Sequence, residues 1–180
     1  MPVDILLVAL LVLGFVAGFF RGVVRALLAV GAWGVSFIVA SYLRVPIGSW
    51  LAQSSSFSPF YAYMLAFVLI FIGIFGSLLL VILLSRTPTE FARHPLLDDV
   101  LGGAVGVVVM ALTIGGVMVM LGSYYTVDNP PPVADVGWAA EVFRALGASG
   151  LAGTIGDTLV QGANFFLGPL LPPEVRAVMA

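Results

Sequence analysis

The 180-residue chain has no cysteine and a single histidine, and only 9% of its residues are charged. The absence of cysteine excludes disulfides, thiolate-ligated metal sites and thiol nucleophiles. A soluble domain carries about 25% charged residues, so this chain has too few charged side chains to form a water-exposed surface. Its 61% hydrophobic content and mean hydropathy of +1.16 predict an integral membrane protein instead. The net charge of −2, without a basic run, excludes the electrostatic footprint of nucleic-acid binding.

Catalytic and metal-binding patterns are also missing from the sequence. The lone His94 precedes Pro95 in a short polar segment, where a histidine is usually solvated rather than catalytic. The glycine-rich stretch 102–106 contains no lysine, so it is not a phosphate-binding loop. We therefore expect a non-enzymatic protein with no cofactor and no metal.

Long apolar segments separated by charged residues dominate residues 1–122. A helix needs about 20 apolar residues to cross a bilayer. The pattern predicts an all-α integral membrane four-helix bundle with a C-terminal tail. The predicted helices are about 5–22, 24–43, 60–84 and 99–122.

Residues 45–59 are uncharged but contain Pro46, Gly48 and the serine run 54–56. These residue types interrupt helical patterns, so we predict a surface loop. The alternative is a re-entrant loop, whose backbone would have to be buried in protein.

The tail, residues 123–180, begins with an Asn-Pro-Pro-Pro sequence at 129–132 that ends any helix. Two amphipathic helices are predicted beyond it, at about 134–147 and 151–167. Polar residues in the second argue against a fifth span. The pattern leaves open whether these helices lie on the membrane surface or dock on the bundle.

The arginines predict the orientation of the spans. Arg21 and Arg25 lie in the first connection and Arg86 and Arg93 in the third, whereas Arg44 alone lies near the spans on the opposite side. Positive residues are enriched in cytoplasmic loops. We therefore predict that both termini and the tail are outside the cytoplasm.

Small residues recur at four-residue spacing on several helices. Such faces allow close approach of another helix in lipid. Within one chain they would pack the bundle, and between chains they would form a homo-oligomer seam. The predicted helix-packing residues are Gly14, Gly18, Gly22, Gly73, Gly102 and Gly106.

Charged residues at the helix ends have two kinds of predicted role. Arg21 and Arg25 either determine topology or contact an anionic lipid headgroup or an acidic partner. Asp4 and Asp98 precede apolar segments and are predicted helix caps.

Two blocks of the sequence resemble the CvpA, or colicin V production, family of bacterial inner-membrane proteins. The first is an early Asp4, a glycine-rich first helix and the Arg21-Gly22 turn; the second is the stretch 97–106, Leu-Asp-Asp-Val-Leu-Gly-Gly-Ala-Val-Gly. Asp99 stands where the family pattern has a basic residue. The resemblance covers about residues 1–122.

The resemblance implies a multi-pass inner-membrane protein with a role in colicin V toxin production or export and in envelope homeostasis. It also implies an outside C-terminus. Our leading hypothesis is a membrane scaffold that contacts the lipid bilayer and a protein partner or a second copy. The alternative is a small transporter or channel component that homo-oligomerises through its glycine-rich helix faces.

Overall fold

The computed structural model describes residues 2–54, 59–85, 95–125, 145–146, 148–155, 158, 162 and 168–172, and no strand occurs among them. The long helices are α1 (Pro2–Phe19), α2 (Val23–Ser54), α3 (Pro59–Leu84) and α4 (Pro95–Tyr125). In the tail, the described elements are the short helix α5 (Gly150–Ile155) and a 3₁₀ turn at Gly168–Leu170.

Three of these helices are long and apolar enough to cross a membrane. Their apolar parts are Val23–Ser54, Tyr61–Leu84 and Leu96–Met120. The first helix is shorter, with an apolar segment at Val3–Phe19. Its 18 residues span about 27 Å at 1.5 Å per residue, slightly less than the ~30 Å hydrocarbon core.

The helices form two closely packed pairs. The helix α1 packs mainly on α4, α2 packs mainly on α3, and the pairs meet through α2 and α4. One end of the bundle is fixed by two contacts. The Val23 amide donates to the Asp98 carboxylate, and the Arg25 guanidinium donates to the Ser85 carbonyl. This end therefore joins the starts of α2 and α4 to the end of α3.

Aromatic side chains fill the space between α2 and α3. Trp33 and Phe37 of α2 stack with ring centroids 5.1 Å apart, and Phe67 and Phe71 of α3 stack at 6.2 Å. The rings of Phe37 and Phe67 meet edge to face at 5.6 Å. Such offset and edge-to-face arrangements are favourable for aromatic pairs, so the two helices are joined by interlocking rings.

The loop predicted for residues 45–59 is wrong in its larger part, because α2 continues as a helix to Ser54. Pro46 lies inside this helix. Gly48 packs against Tyr63, leaving no room there for a Cβ atom. Packing against a neighbouring helix lets a membrane helix tolerate the backbone groups that a proline leaves without hydrogen bonds. Because α2 packs on α3, Pro46 and Gly48 do not end it. Residues 55–58 lie outside the described residues.

The described part of the tail docks on the bundle. Ala152 and Ile155 of α5 are buried, and α5 contacts both α1 and α4. Leu146 and Leu171 also belong to the hydrophobic core. Most of the helix predicted at 134–147, and the predicted helix beyond Ile155 except for single positions, lie outside the described residues.

Candidate functional site

Glycines bring the backbones of α1 and α4 into direct contact. A Cβ atom placed on Gly14 would lie 2.7 Å from the carbonyl oxygen of Gly106, and one on Gly18 would overlap the carbonyl oxygen of Gly102. In the reverse direction, a Cβ atom on Gly102 would lie 2.6 Å from the Gly18 oxygen. These four glycines, here called the glycine seam, lie within one chain, and no side chain separates the two helices there.

The seam ends at the tight turn between α1 and α2. Gly22 adopts φ of 74°, a left-handed conformation that favours glycine. A Cβ atom there would also overlap the carboxylate of Asp98. Asp98 Oδ1 accepts a hydrogen bond of 3.1 Å from the amide of Val23. The turn is thus built from a glycine that leaves space and a carboxylate that fills it.

This geometry corrects the predicted role of Asp98 as the cap of its own helix. The fourth helix begins at Pro95, so Asp98 already lies in its first turn. Its carboxylate satisfies the first amide of α2 instead. A helix start leaves its first amides without partners inside the helix, and Asp98 supplies one from a distant part of the chain.

Asp4 likewise lies inside the first turn of α1 rather than before it. The Ser149 hydroxyl donates a 2.6 Å hydrogen bond to Asp4 Oδ1. The same hydroxyl oxygen accepts a bond from the amide of Ala152. Asp4 therefore ties the start of α1 to the tail, and Ser149 caps α5.

Gly73 departs from the predicted packing pattern. A Cβ atom at Gly73 would meet no heavy atom within 4 Å, and the residue is exposed on α3. Among the described residues it therefore packs against no other helix. A small residue at the right spacing does not identify which face of a helix is covered.

The two arginines at the first turn have different surroundings. Arg25 is half-buried, and its Nη2 atom donates to the Ser85 carbonyl at 3.3 Å. This contact places a positive charge at the C-terminus of α3, which the helix dipole favours. The Arg21 guanidinium makes no hydrogen bond or ion pair with the part of the chain that the structure describes. Of the two arginines at this turn, Arg21 is therefore the one whose guanidinium stays available to a ligand.

Arg21 lies at a cavity of about 300 Å³ between the two helix pairs. We call this cavity the Arg21 groove. Arg21 is the one charged residue among its described lining residues, which are Gly14, Ala17, Gly18, Arg21, Ala26, Ala29, Phe75, Leu79, Gly106, Val109, Met110 and Thr113. All four long helices contribute to it.

Two further cavities are apolar. One of about 190 Å³ lies beside Trp33 and Phe71, and one of about 340 Å³ lies between α1, α4 and Leu146 of the tail. Thr113 borders both of them as well as the Arg21 groove. Three grooves therefore meet around the middle of α4, one of them beside the glycine seam.

Arg44 is a residue whose importance the sequence reasoning missed. It was placed at the end of the second span, but it lies within α2 and is only 9% exposed. Buried arginines are rare and are usually paired or functional. The signal available in the sequence was the absence of any charge from Val45 to Ser54, which is compatible with a helix that continues past Arg44.

Among the residues that the structure describes, no group of three or more histidine, aspartate or glutamate side chains could hold a metal ion. The family model of the colicin V production protein matches residues 3–153 of the chain. This span extends beyond the 122 residues of the predicted resemblance and includes the first part of α5. No curated protein and no solved structure matches the chain.

Proposed function

The chain belongs to the colicin V production protein family, and from this membership we propose that it is a non-enzymatic scaffold of the bacterial inner membrane. Its proposed role is to support toxin production or export and envelope homeostasis through contacts with a protein partner. The observation that carries the proposal is the extent of the match, which covers α1 to α4 and reaches α5. We therefore assign the role shared by the family to the helical bundle itself.

The glycine seam supports a structural role for the bundle. Backbone contact between α1 and α4 leaves no room for a side chain between them at the seam, and such close packing favours a rigid helix pair. A helix pair locked in this way provides a fixed surface for a partner. Many transporters, in contrast, use broken helices and rocking of one half of the molecule.

The proposed topology has four spans with both termini outside the cytoplasm. The end of the bundle with Arg21 and Arg25 also holds the end of α3 and the start of α4, which the segment carrying Arg86 and Arg93 connects. Four arginines would then face the cytoplasm, in agreement with the positive-inside rule.

The length of α2 is consistent with this topology. With Val23 at the cytoplasmic border, Arg44 would lie about 32 Å along the helix, which is the thickness of the hydrocarbon core. Arg44 would then reach the opposite interface. The remaining residues to Ser54 would extend beyond it, covered by the start of α3 at Tyr63.

Reporter fusions and crosslinking test the proposal at two levels. A periplasmic phosphatase fused after residue 180 should be active, and a fluorescent protein at that site should stay dark. A fluorescent C-terminal fusion contradicts the topology.

A photo-crosslinker at exposed Phe20 should capture a defined partner from native membranes, and loss of the chain should reduce toxin export. Unchanged export and envelope integrity contradict the role.

A small transporter or channel component is the second candidate. Buried Arg44 favours it, since ionisable side chains buried between spanning helices often mark transport paths, and Arg44 would lie at the opening of such a path. The predicted oligomer seam at Gly14 and Gly18 is, however, occupied by α4. Ion flux into proteoliposomes that is lost in Arg44→Gln and retained in Arg21→Gln would favour this candidate over the scaffold.

A further inference from the structure

The Arg21 groove combines an apolar wall with a guanidinium at its end, the one charge among the lining residues that the structure describes. We propose that it binds an anionic phospholipid, with one acyl chain in the groove and the phosphate at the Arg21 guanidinium. The inference requires that the bundle lies in a membrane, as proposed above, but it does not depend on the scaffold role or on any protein partner.

The shape of the groove fits an acyl chain. Its volume of about 300 Å³ is at the lower end of the ~300–1,000 Å³ typical of small-molecule sites. The small alanines of α1 and α2 leave a recess beside the glycine seam, and Phe75 and Leu79 of α3 form the opposite wall. A flexible hydrocarbon chain can fill such a recess where the helices themselves do not meet.

The direction of the groove fits a lipid of one leaflet. Arg21 lies at the end of the bundle, and the lining continues along α1 to Gly14, about 10 Å away at 1.5 Å per residue. Half of the hydrocarbon core is about 15 Å thick. An acyl chain that starts at a headgroup near Arg21 would therefore run toward the bilayer centre along the groove.

The four charged residues described at this end, Arg21, Arg25, Asp98 and Asp99, favour an anionic headgroup at Arg21. Arg25 is engaged with the Ser85 carbonyl, and the Asp98 carboxylate is engaged with the Val23 amide. Neither Asp98 nor Asp99 lines the groove. Guanidinium groups bind phosphate oxygens through two parallel hydrogen bonds, so the lipid phosphate is the complementary group for Arg21.

Native mass spectrometry of the full-length protein in detergent tests the proposal. Phosphatidylglycerol and phosphatidylcholine with identical acyl chains are titrated against the wild type. We expect one tightly bound phosphatidylglycerol per chain, with about tenfold weaker binding of phosphatidylcholine, because the choline cation offsets the charge of the same phosphate and is repelled by Arg21. Arg21→Gln should abolish this preference and Arg21→Lys should largely retain it.

A matched pair of variants on α1 tests the groove itself. Ala17 lines the groove and is exposed, so Ala17→Phe should fill it and lower phosphatidylglycerol binding about tenfold, because the acyl chain loses its packing contacts with the groove wall. Ala9 is exposed on the same helix and lines none of the three cavities. Ala9→Phe should bind lipid as the wild type does.

Three outcomes would overturn the proposal. In the first, Ala17→Phe and Ala9→Phe bind lipid equally, which means that the lipids only surround the bundle. In the second, the wild type does not distinguish the two headgroups. In the third, Ala17→Phe converts a dimer to a monomer with unchanged lipid binding, so that a second copy occupies the groove. Equal thermal unfolding of all variants ensures that lost binding reflects the site and not misfolding.

Discussion

The two helix pairs of this bundle are joined by opposite means. At the glycine seam between α1 and α4 the two backbones meet without an intervening side chain, and the carbonyl oxygens of Gly102 and Gly106 lie close to where a Cβ atom of Gly18 or Gly14 would be. Between α2 and α3 the contact consists of large rings such as Phe37 and Phe67. One interface is closed by bringing backbones together, and the other is closed by filling the gap.

The difference shows how each pair can be stable in lipid. Association of membrane helices gains little from the hydrophobic effect, so it relies on packing. Dispersion forces are individually weak and need close contact. The glycine seam achieves contact by removing atoms, and the aromatic interface achieves it by adding them. The seam should therefore fail when volume is added, and the aromatic interface when volume is lost.

The largest expected effect is that of Gly18→Leu. Its Cβ atom alone would overlap the Gly102 carbonyl, and backbone cannot rotate away as a side chain can. We expect destabilisation above the ~1–3 kcal/mol typical of overpacked cores, with loss of monodisperse protein in size-exclusion chromatography. Gly31→Leu is the control, because Gly31 is exposed on α2 and has no neighbour within 4 Å. Equal yields of monodisperse protein from the two variants would show that the bundle folds without close backbone contact at the seam.

Removing a ring from the aromatic interface should have the next largest effect. Phe37 is 3% exposed and contacts Trp33 and Phe67. Phe→Ala costs about 3–5 kcal/mol in soluble cores. For Phe37→Ala we expect the free energy of unfolding to fall by about 2–3 kcal/mol, because a side chain that moves from lipid into the helix interface gains packing but no hydrophobic energy. Unfolding in mixed detergent micelles measures the change, with Phe20→Ala at an exposed ring as the control. A loss no greater than that of the control would contradict the filling role.

Asp98→Ala tests the link between the seam and the turn. It removes the acceptor for the Val23 amide, and the loss of such a cap costs about 1 kcal/mol. Asp98→Asn should recover most of this, because the amide oxygen can still accept the bond. The same micelle assay compares these variants with Asp99→Ala, which removes the neighbouring carboxylate. If Asp99→Ala lowers the free energy of unfolding as much as Asp98→Ala, the negative charge at this end and not the contact with Val23 stabilises the turn.

Much of the helical framework was predictable from hydrophobic runs and charge positions. The ends of α3 and the apolar character of α1 and α4 follow directly from composition. The end of α2 did not, because Pro46 and Gly48 are read locally as breakers. Their effect was overridden by packing, since Gly48 fits against Tyr63 of α3, and a contact between distant positions leaves no local pattern.

The candidate site was predictable in its residue types but not in its pairings. Four-residue spacing identified Gly14 and Gly18 as a packing face, yet it could not identify α4 as the helix that covers it. Asp98 was recognised as a helix-end residue, but its partner is an amide 75 positions away in sequence. The Arg21 groove is made by all four long helices, so no single segment could reveal it.

The smallest expected effect, and the one with opposite sign, is that of Gly73→Ala. Gly73 has the same spacing relation to Ser77 that the seam glycines have to each other, but its Cβ direction is empty to 4 Å. Alanine is favoured over glycine in helices by about 0.5–1 kcal/mol, so Gly73→Ala should slightly stabilise the protein in the micelle assay. Gly106→Ala, which adds the same methyl group against the Gly14 carbonyl, should destabilise it. Destabilisation by Gly73→Ala in membranes, together with loss of a crosslinked dimer, would instead show that α3 carries a second seam between chains.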